Sequence, residues 1–132
     1  MTEKTNSISF NVPIYDIEVH VGRDYDVVRV DGADVVPRGE QGAVEISGSG
    51  WSNFSDSKRR GFIAIQDHSD RDFQISCLAH ECLHVMNRIF NNIGYQGSRV
   101  DDEADAYLLG YLIENAIKAL RQYDESNNND QT

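Results

Sequence analysis

Hydrophobic and polar residues alternate along the first half of the chain, as they do in half-buried β-strands. Apolar side chains recur at every second position in residues 8–14, and the alternation continues in a shifted register over residues 17–21. The Gly-, Ser- and Asn-rich segment 48–57 is predicted to be a loop. Further short strands are predicted at residues 25–30, 42–47 and 61–66.

The period of the pattern changes near residue 70, where apolar residues begin to recur at helical spacing. Ser69 or Asp70 is suited to cap the start of this helix, and Gly94 is suited to end it. A second helix is predicted over residues 101–123. Three acids lie near its start, where negative charges interact favourably with the positive end of the helix dipole. The predicted apolar face of the first helix consists of Ile75, Leu78, Ala79, Cys82, Met86, Ile89 and Phe90.

A run of strands followed by two helices is typical of an α+β fold. We expect a small, mostly antiparallel sheet followed by two packed helices. The length of 132 residues fits one domain, which we assign to residues 1–123. The polar segment 124–132 is predicted to be a disordered tail.

Charge and cysteine content narrow the expected partners and location. The net charge of −10, from 22 acidic and 12 basic residues, repels phosphate backbones, so we expect no nucleic-acid partner. No apolar run approaches the ~20 residues that span a bilayer, and residues 1–7 do not resemble a signal peptide. Cys77 and Cys82 lie five residues apart on the first helix, where they would not bridge each other, and a reduced cytoplasmic location is expected.

The first helix contains a His-Glu-x-x-His motif at His80, Glu81 and His84. Histidines four residues apart lie on one helix face, where two imidazole nitrogens can reach the same metal ion. Glu81, next to the first histidine, can accept a proton from a water that zinc has acidified. The motif fixes only three residues, so two surface histidines without any metal are the alternative interpretation.

A catalytic zinc needs a third protein ligand and one open position. The second helix begins with a cluster of acids, and a short loop would allow that helix to pack antiparallel to the first. Glu103 is our choice of ligand because it shares a face with Gly110, whose missing side chain permits close helix approach. Asp102 and Asp101 are rivals, and simple capping of the helix is the alternative role for these acids.

The segment AHECLHVM, followed by DDEADAYLLGYL, resembles the gluzincin metallopeptidases. Over residues 60–115 the chain is similar to ImmA/IrrE-type peptidases and to short zincin-like proteins of tailed bacteriophages. The resemblance implies one Zn²⁺ per chain at His80, His84 and Glu103, with Glu81 as the general base. It also implies that a substrate peptide adds to an exposed edge strand before the active helix. Residues 61–66 are the candidate for that strand, and an ordinary core strand is the equal alternative for them.

The resemblance implies a metallopeptidase that hydrolyses a protein or peptide substrate, in the bacterial host cytoplasm if the chain is phage-encoded. The alternative is a non-catalytic zincin-like protein that acts by contact with a partner protein. Many gluzincins carry an Asp four residues after the ligand Glu, but Tyr107 stands there. Either Tyr107 or Asp105 supports the first histidine, or the register of the third ligand is shifted. His68 is a candidate to stabilise an oxyanion, whereas packing is the expected role of Tyr95 and Tyr111.

Overall fold

The computed structural model describes residues 7–13, 15–23, 50–96 and 102–129. The predicted strands at residues 25–30 and 42–47 lie outside these residues. Within the described part the chain forms one sheet followed by two long helices. The elements are β1 (Ile8–Val12), β2 (Ile17–Gly22), β3 (Gly50–Ser55), β4 (Arg60–Ile65), α1 (Arg71–Ile93) and α2 (Glu103–Asn129).

The sheet has the strand order β1-β2-β4-β3. The β1–β2 and β3–β4 pairs are antiparallel, and only the central β2–β4 pair is parallel. The predicted α+β fold, with a mostly antiparallel sheet followed by two helices, is therefore confirmed. Of the two interpretations of residues 61–66, the edge strand is wrong and the ordinary core strand is confirmed, because β4 has a neighbour on each side. Among the described strands, β3 and β1 are the two edges.

Strand β3 occupies the segment that was predicted to be a loop. Its six residues pair continuously with β4, from Gly50 opposite Ile65 to Ser55 opposite Arg60. Trp51 and Phe54 are buried on opposite faces of the sheet, which anchors the strand on both sides. Packing and cross-strand pairing thus override the weak strand propensity of Gly, Ser and Asn.

Helix α1 begins and ends where its capping residues predict. The Asp70 side chain accepts a hydrogen bond from the backbone N–H of Phe73, and Gly94 ends the helix with a left-handed φ of 77°. The buried stripe is rotated from the predicted one, because Cys77, which the predicted apolar face leaves out, is buried and Ile75, which it includes, is half exposed. The sheet contacts the side of α1 that carries Cys77 and Glu81, so the stripe includes both.

Helix α2 continues to Asn129, so residues 124–129 of the predicted disordered tail are helical. Arg23, just after β2, explains part of this difference. Its guanidinium donates to both Asp124 carboxylate oxygens, at 2.7 and 2.8 Å, and to the Gln74 side chain at 2.7 Å. This cluster, which we call the Arg23 clasp, joins the end of β2 to the start of α1 and the far end of α2.

The main core lies between the helices and one face of the sheet. It contains fully buried side chains from every layer, among them Val19, Ile63, Leu78, Ile89 and Leu112. In the described part of the chain, neither helix has the length and apolar character needed to cross a membrane.

Candidate active site

His80 and His84 point from α1 to the same place. Their Nε2 atoms lie 3.2 Å apart, and the ring planes meet edge to face at 76°. Both histidines are exposed, on the side of α1 that also carries the exposed residues Asn87, Arg88 and Asn91. The histidine pair therefore lies on the polar face of the helix, as its spacing predicts.

The separation of the two nitrogens matches what one zinc ion requires. In a tetrahedral site with Zn–N distances of 2.0–2.1 Å, two nitrogen ligands stand about 3.3–3.4 Å apart. The Nε2 atoms of His80 and His84 are already within about 0.2 Å of that separation. Neutral imidazole nitrogens are also ligands that suit zinc. The separation is therefore compatible with a shared metal ion, and without a metal it corresponds to a hydrogen bond in which one Nε2–H donates to the other ring.

Glu81 points away from solvent, toward the edge strand β3. Only 7% of its surface is exposed, and its Oε1 accepts a hydrogen bond of 2.6 Å from the hydroxyl of Ser52. Such a short bond to a carboxylate is typical of a charge-assisted pair, and it fixes the position of the acid. Ser52 was not identified from the sequence, because its segment was predicted to be a loop. The bulky residues Trp51 and Phe54, spaced within that polar segment, were the available signal for a strand.

A missing side chain at Gly50 lets β3 approach the glutamate. A Cβ atom at this position would lie 3.0 Å from Ile65 Cδ1 and 3.2 Å from Glu81 Cγ, both closer than ordinary van der Waals contact. Either the strand or the carboxylate would have to move to accommodate it. Gly50 therefore leaves the space that the Glu81 side chain occupies, and Ser52 holds the carboxylate there by a hydrogen bond.

Contacts between α1 and β3 define a cleft with Glu81 and His84 on one wall. Ser52 contacts Glu81, the Phe54 carbonyl lies near Arg88, and the Asp56 carbonyl accepts from Asn92 at 3.1 Å. The strand and the helix thus run side by side in the same direction. The cleft has a volume of about 440 Å³ and is lined by Gly50, Trp51, Ser52, Glu81, His84, Val85, Asn87 and Arg88.

A third metal ligand is not assembled in the described part of the chain. No three His, Cys, Asp or Glu side chains come together there in a group that could hold a metal ion. Glu103 lies in the first turn of α2, where its side chain is exposed, and Asp102 precedes it and is also exposed. Asp101 lies outside the described residues. The assignment of Glu103 as the third ligand stays a prediction.

The close helix approach expected at Gly110 is not found. Gly110 is exposed, and a Cβ atom at that position would meet nothing within 4 Å. Tyr107, on the same face, is 75% exposed. Asp105 instead accepts a hydrogen bond of 3.2 Å from the hydroxyl of Tyr95. The face of α2 that carries Glu103 is thus a solvent face at Tyr107 and Gly110, which removes the reason for preferring Glu103 to its neighbours.

Other residues considered from the sequence lie away from the cleft. His68 is exposed before α1, and its Nδ1 accepts a hydrogen bond from the backbone N–H of Asp70. It does not line the cleft. The Tyr95 ring packs against Phe90, and the Tyr111 hydroxyl donates to the Asn11 carbonyl, so both tyrosines have structural contacts.

The two cysteines are buried thiols. Cys77 and Cys82 are both free, and Cys82 is fully inaccessible. Burial, with a smaller contribution from the charge of Glu81, raises the pKa of Cys82 to about 12. A thiol with so high a pKa stays protonated at neutral pH and is a poor metal ligand or nucleophile. Cys82 therefore packs as a small apolar residue, as predicted.

Replacing Ser52 by Ala tests whether the hydroxyl supports the buried carboxylate. The change leaves Oε1 of Glu81 without its 2.6 Å donor, and we expect the free energy of unfolding to fall by about 1–3 kcal/mol. Urea unfolding of the Ser52→Ala protein measures this loss. In the background of Glu81→Leu, where no carboxylate needs a donor, the same change should cost much less. Equal costs in the two backgrounds would show that the hydrogen bond does not stabilise Glu81.

Comparison with known proteins does not assign this chain to a family. The resemblance to gluzincins rests on the residues of α1 and of the start of α2. Any functional conclusion therefore depends on the side chains of the cleft and their geometry. No family model, no curated protein and no solved structure matches the chain.

Proposed function

We propose that this protein is a zinc-dependent metallopeptidase that hydrolyses a peptide bond in a protein or peptide substrate. One observation carries the proposal: two imidazole nitrogens 3.2 Å apart lie beside a buried glutamate that a serine of the edge strand holds in place. A purely structural metal site has no need of a positioned carboxylate between its histidines. The combination of a chelating pair with a fixed base favours catalysis.

The positions of His80, His84 and Glu81 support a role for each of them, whereas the third ligand rests on the resemblance. His80 and His84 would hold the metal through Nε2, and an acid at the start of α2 (Glu103, with Asp102 and Asp101 as rivals) is the proposed third ligand. Bound zinc supplies a Lewis acid that polarises a carbonyl and acidifies a water molecule. Glu81 accepts the proton of the attacking water and passes it to the leaving amine. Ser52 keeps the Glu81 carboxylate in the cleft throughout.

The edge strand β3 gives the substrate a place to lie. In the described part of the chain β3 pairs on one side only, and its inner face forms one wall of the cleft. An extended peptide that adds to this edge would run past Glu81 and His84 with its backbone hydrogen-bonded to β3. We therefore transfer the substrate-binding role from β4, where the sequence placed it, to β3.

A non-catalytic binding protein is the second candidate function. The observation that favours it is the lack of a third ligand near His80 and His84 among the described side chains. Such a protein would keep the helices and the cleft and act by contact with a partner. The acidic charge argues against nucleic acid in either function. Both are proposed to act in the cytoplasm, bacterial if the chain is phage-encoded, because the two cysteines are free thiols.

Zinc content tests the metal site directly. Protein purified without added metal, or titrated with Zn²⁺, is expected to hold about one zinc per chain by elemental analysis, and His84→Ala should lose it. Replacing Glu103, Asp102 and Asp101 by Ala, one at a time, should identify the third ligand by the largest fall in affinity. His68→Ala is the matched control and should keep full stoichiometry. Wild-type protein that binds no zinc would overturn the proposal.

A further inference from the structure

Arg88 lies one helical turn beyond His84 on the same face of α1. His80, His84 and Arg88 are spaced four residues apart, so their side chains form a column along the helix. Four residues of helix advance about 6 Å, and Arg88 lines the same cleft as Glu81 and His84. A positive charge thus stands beside the proposed metal site, toward the Phe54 end of the cleft.

Most of the N–H donors of the Arg88 guanidinium are not used in hydrogen bonds to the described residues. Its Nη2 lies 3.5 Å from the Phe54 carbonyl, at the long limit of a hydrogen bond, and that is one of five donors. No carboxylate of the described residues forms an ion pair with Arg88. In a chain with 22 acidic and 12 basic residues, an arginine in a cleft without an acidic partner is placed to receive a carboxylate from outside.

The spacing indicates which part of a substrate Arg88 would meet. An extended peptide rises about 3.3 Å per residue, so the 6 Å between His84 and Arg88 corresponds to about two residues. A peptide lying along β3 with its cleaved bond at His84 would therefore bring a group two residues away to the guanidinium. Arginine binds a carboxylate through two parallel hydrogen bonds, which selects that group over neutral ones.

Resting on the proposed peptidase function, we propose that Arg88 determines specificity by selecting peptides with a carboxylate about two residues from the cleaved bond. An acidic side chain or a free C-terminus supplies the same chemistry. The attraction is local, since at ~0.15 M salt charges more than about 8 Å away are largely screened. The net charge of −10 would otherwise repel such a peptide.

Peptide capture by an inactive protein tests this selection independently of cleavage. Immobilised, zinc-loaded Glu81→Gln protein is exposed to randomised, N-acetylated octapeptides at ~0.15 M salt, and the retained peptides are identified by mass spectrometry. We expect peptides with Asp or Glu at one position, or with a free C-terminus, to be enriched about three- to tenfold. Parallel libraries with free-acid and amidated C-termini distinguish the two sources of the carboxylate.

The second part of the experiment reverses the charge of Arg88 and repeats the peptide capture. Glu81→Gln protein that also carries Arg88→Glu should lose the enrichment and prefer Lys or Arg at the same position. Arg121→Glu is the matched control, because it changes the net charge equally on an exposed site of α2, outside the cleft. It should retain the preference for acidic peptides.

The outcomes separate this inference from the proposed function. Capture without acidic enrichment, or enrichment that survives Arg88→Glu, would overturn the role of Arg88, and so would no capture at all. The same libraries incubated with wild-type protein test cleavage. Acidic enrichment on the Glu81→Gln protein without any cleavage by wild type would support Arg88 and overturn the peptidase.

Discussion

Glu81→Gln is expected to lower peptide hydrolysis by about 10²–10⁴-fold while the protein keeps its fold and its zinc. The amide has nearly the shape of the carboxylate, and its oxygen can still accept the hydrogen bond from Ser52. It cannot take a proton from water, so the loss would report proton transfer alone. Since the substrate is not identified, the assay is a proteomic comparison of cleavage products in cells that express either protein.

The control for this change is Glu125→Gln, which makes the same chemical change outside the cleft. Glu125 is exposed on α2 and does not line the cleft. Cleavage by this variant should remain within a few-fold of wild type. If a biological activity survives Glu81→Gln in full while the zinc content is unchanged, the enzyme proposal fails and the binding function takes its place.

The largest loss of stability is expected from Leu112→Ala. Leu112 is fully buried on α2, in the core that α2 shares with the sheet and α1. Removing three carbon atoms from a packed interior loses their transfer free energy and leaves a cavity, which together cost about 2–5 kcal/mol. Thermal and urea unfolding of the purified variant measure this cost.

Leu83→Ala gives the same chemical change on a surface. Leu83 is 44% exposed on α1, and the substitution should alter the free energy of unfolding by about 0.5 kcal/mol or less. If Leu112→Ala costs no more than Leu83→Ala, α2 does not pack in the common core as described. The comparison therefore tests the two-helix arrangement as well as a single side chain.

The limits of the helix that carries the motif and the convergence of its two histidines were predictable, whereas its buried stripe was not. Local signals set its limits, because Asp70 can cap its own helix and a glycine at position 94 adopts a left-handed conformation without strain. The convergence of His80 and His84 follows from helix geometry by itself. Such features depend on residues close in sequence, so one chain is enough to predict them.

Features that depend on distant residues were not predictable in the same way. Strand β3 exists because it pairs with β4, and the role of Ser52 follows from a contact with Glu81, 29 residues away. The continuation of α2 past residue 123 involves Arg23, which lies 101 residues before Asp124. The expectation of close helix approach at Gly110, which favoured Glu103, was wrong for a related reason, because helical phase alone does not say which face of α2 meets α1.

The cleft is built from one continuous stretch of chain. The residues that line it all fall between Gly50 and Arg88, on β3 and α1, with β4 joining them. Strand β1, strand β2 and helix α2 support this unit from outside. In evolutionary terms the cleft is a contiguous ββα segment, which a single recombination event could move whole, whereas the proposed third metal ligand would come from α2. During synthesis on a ribosome, the cleft-forming segment is complete before any residue of α2 has been made.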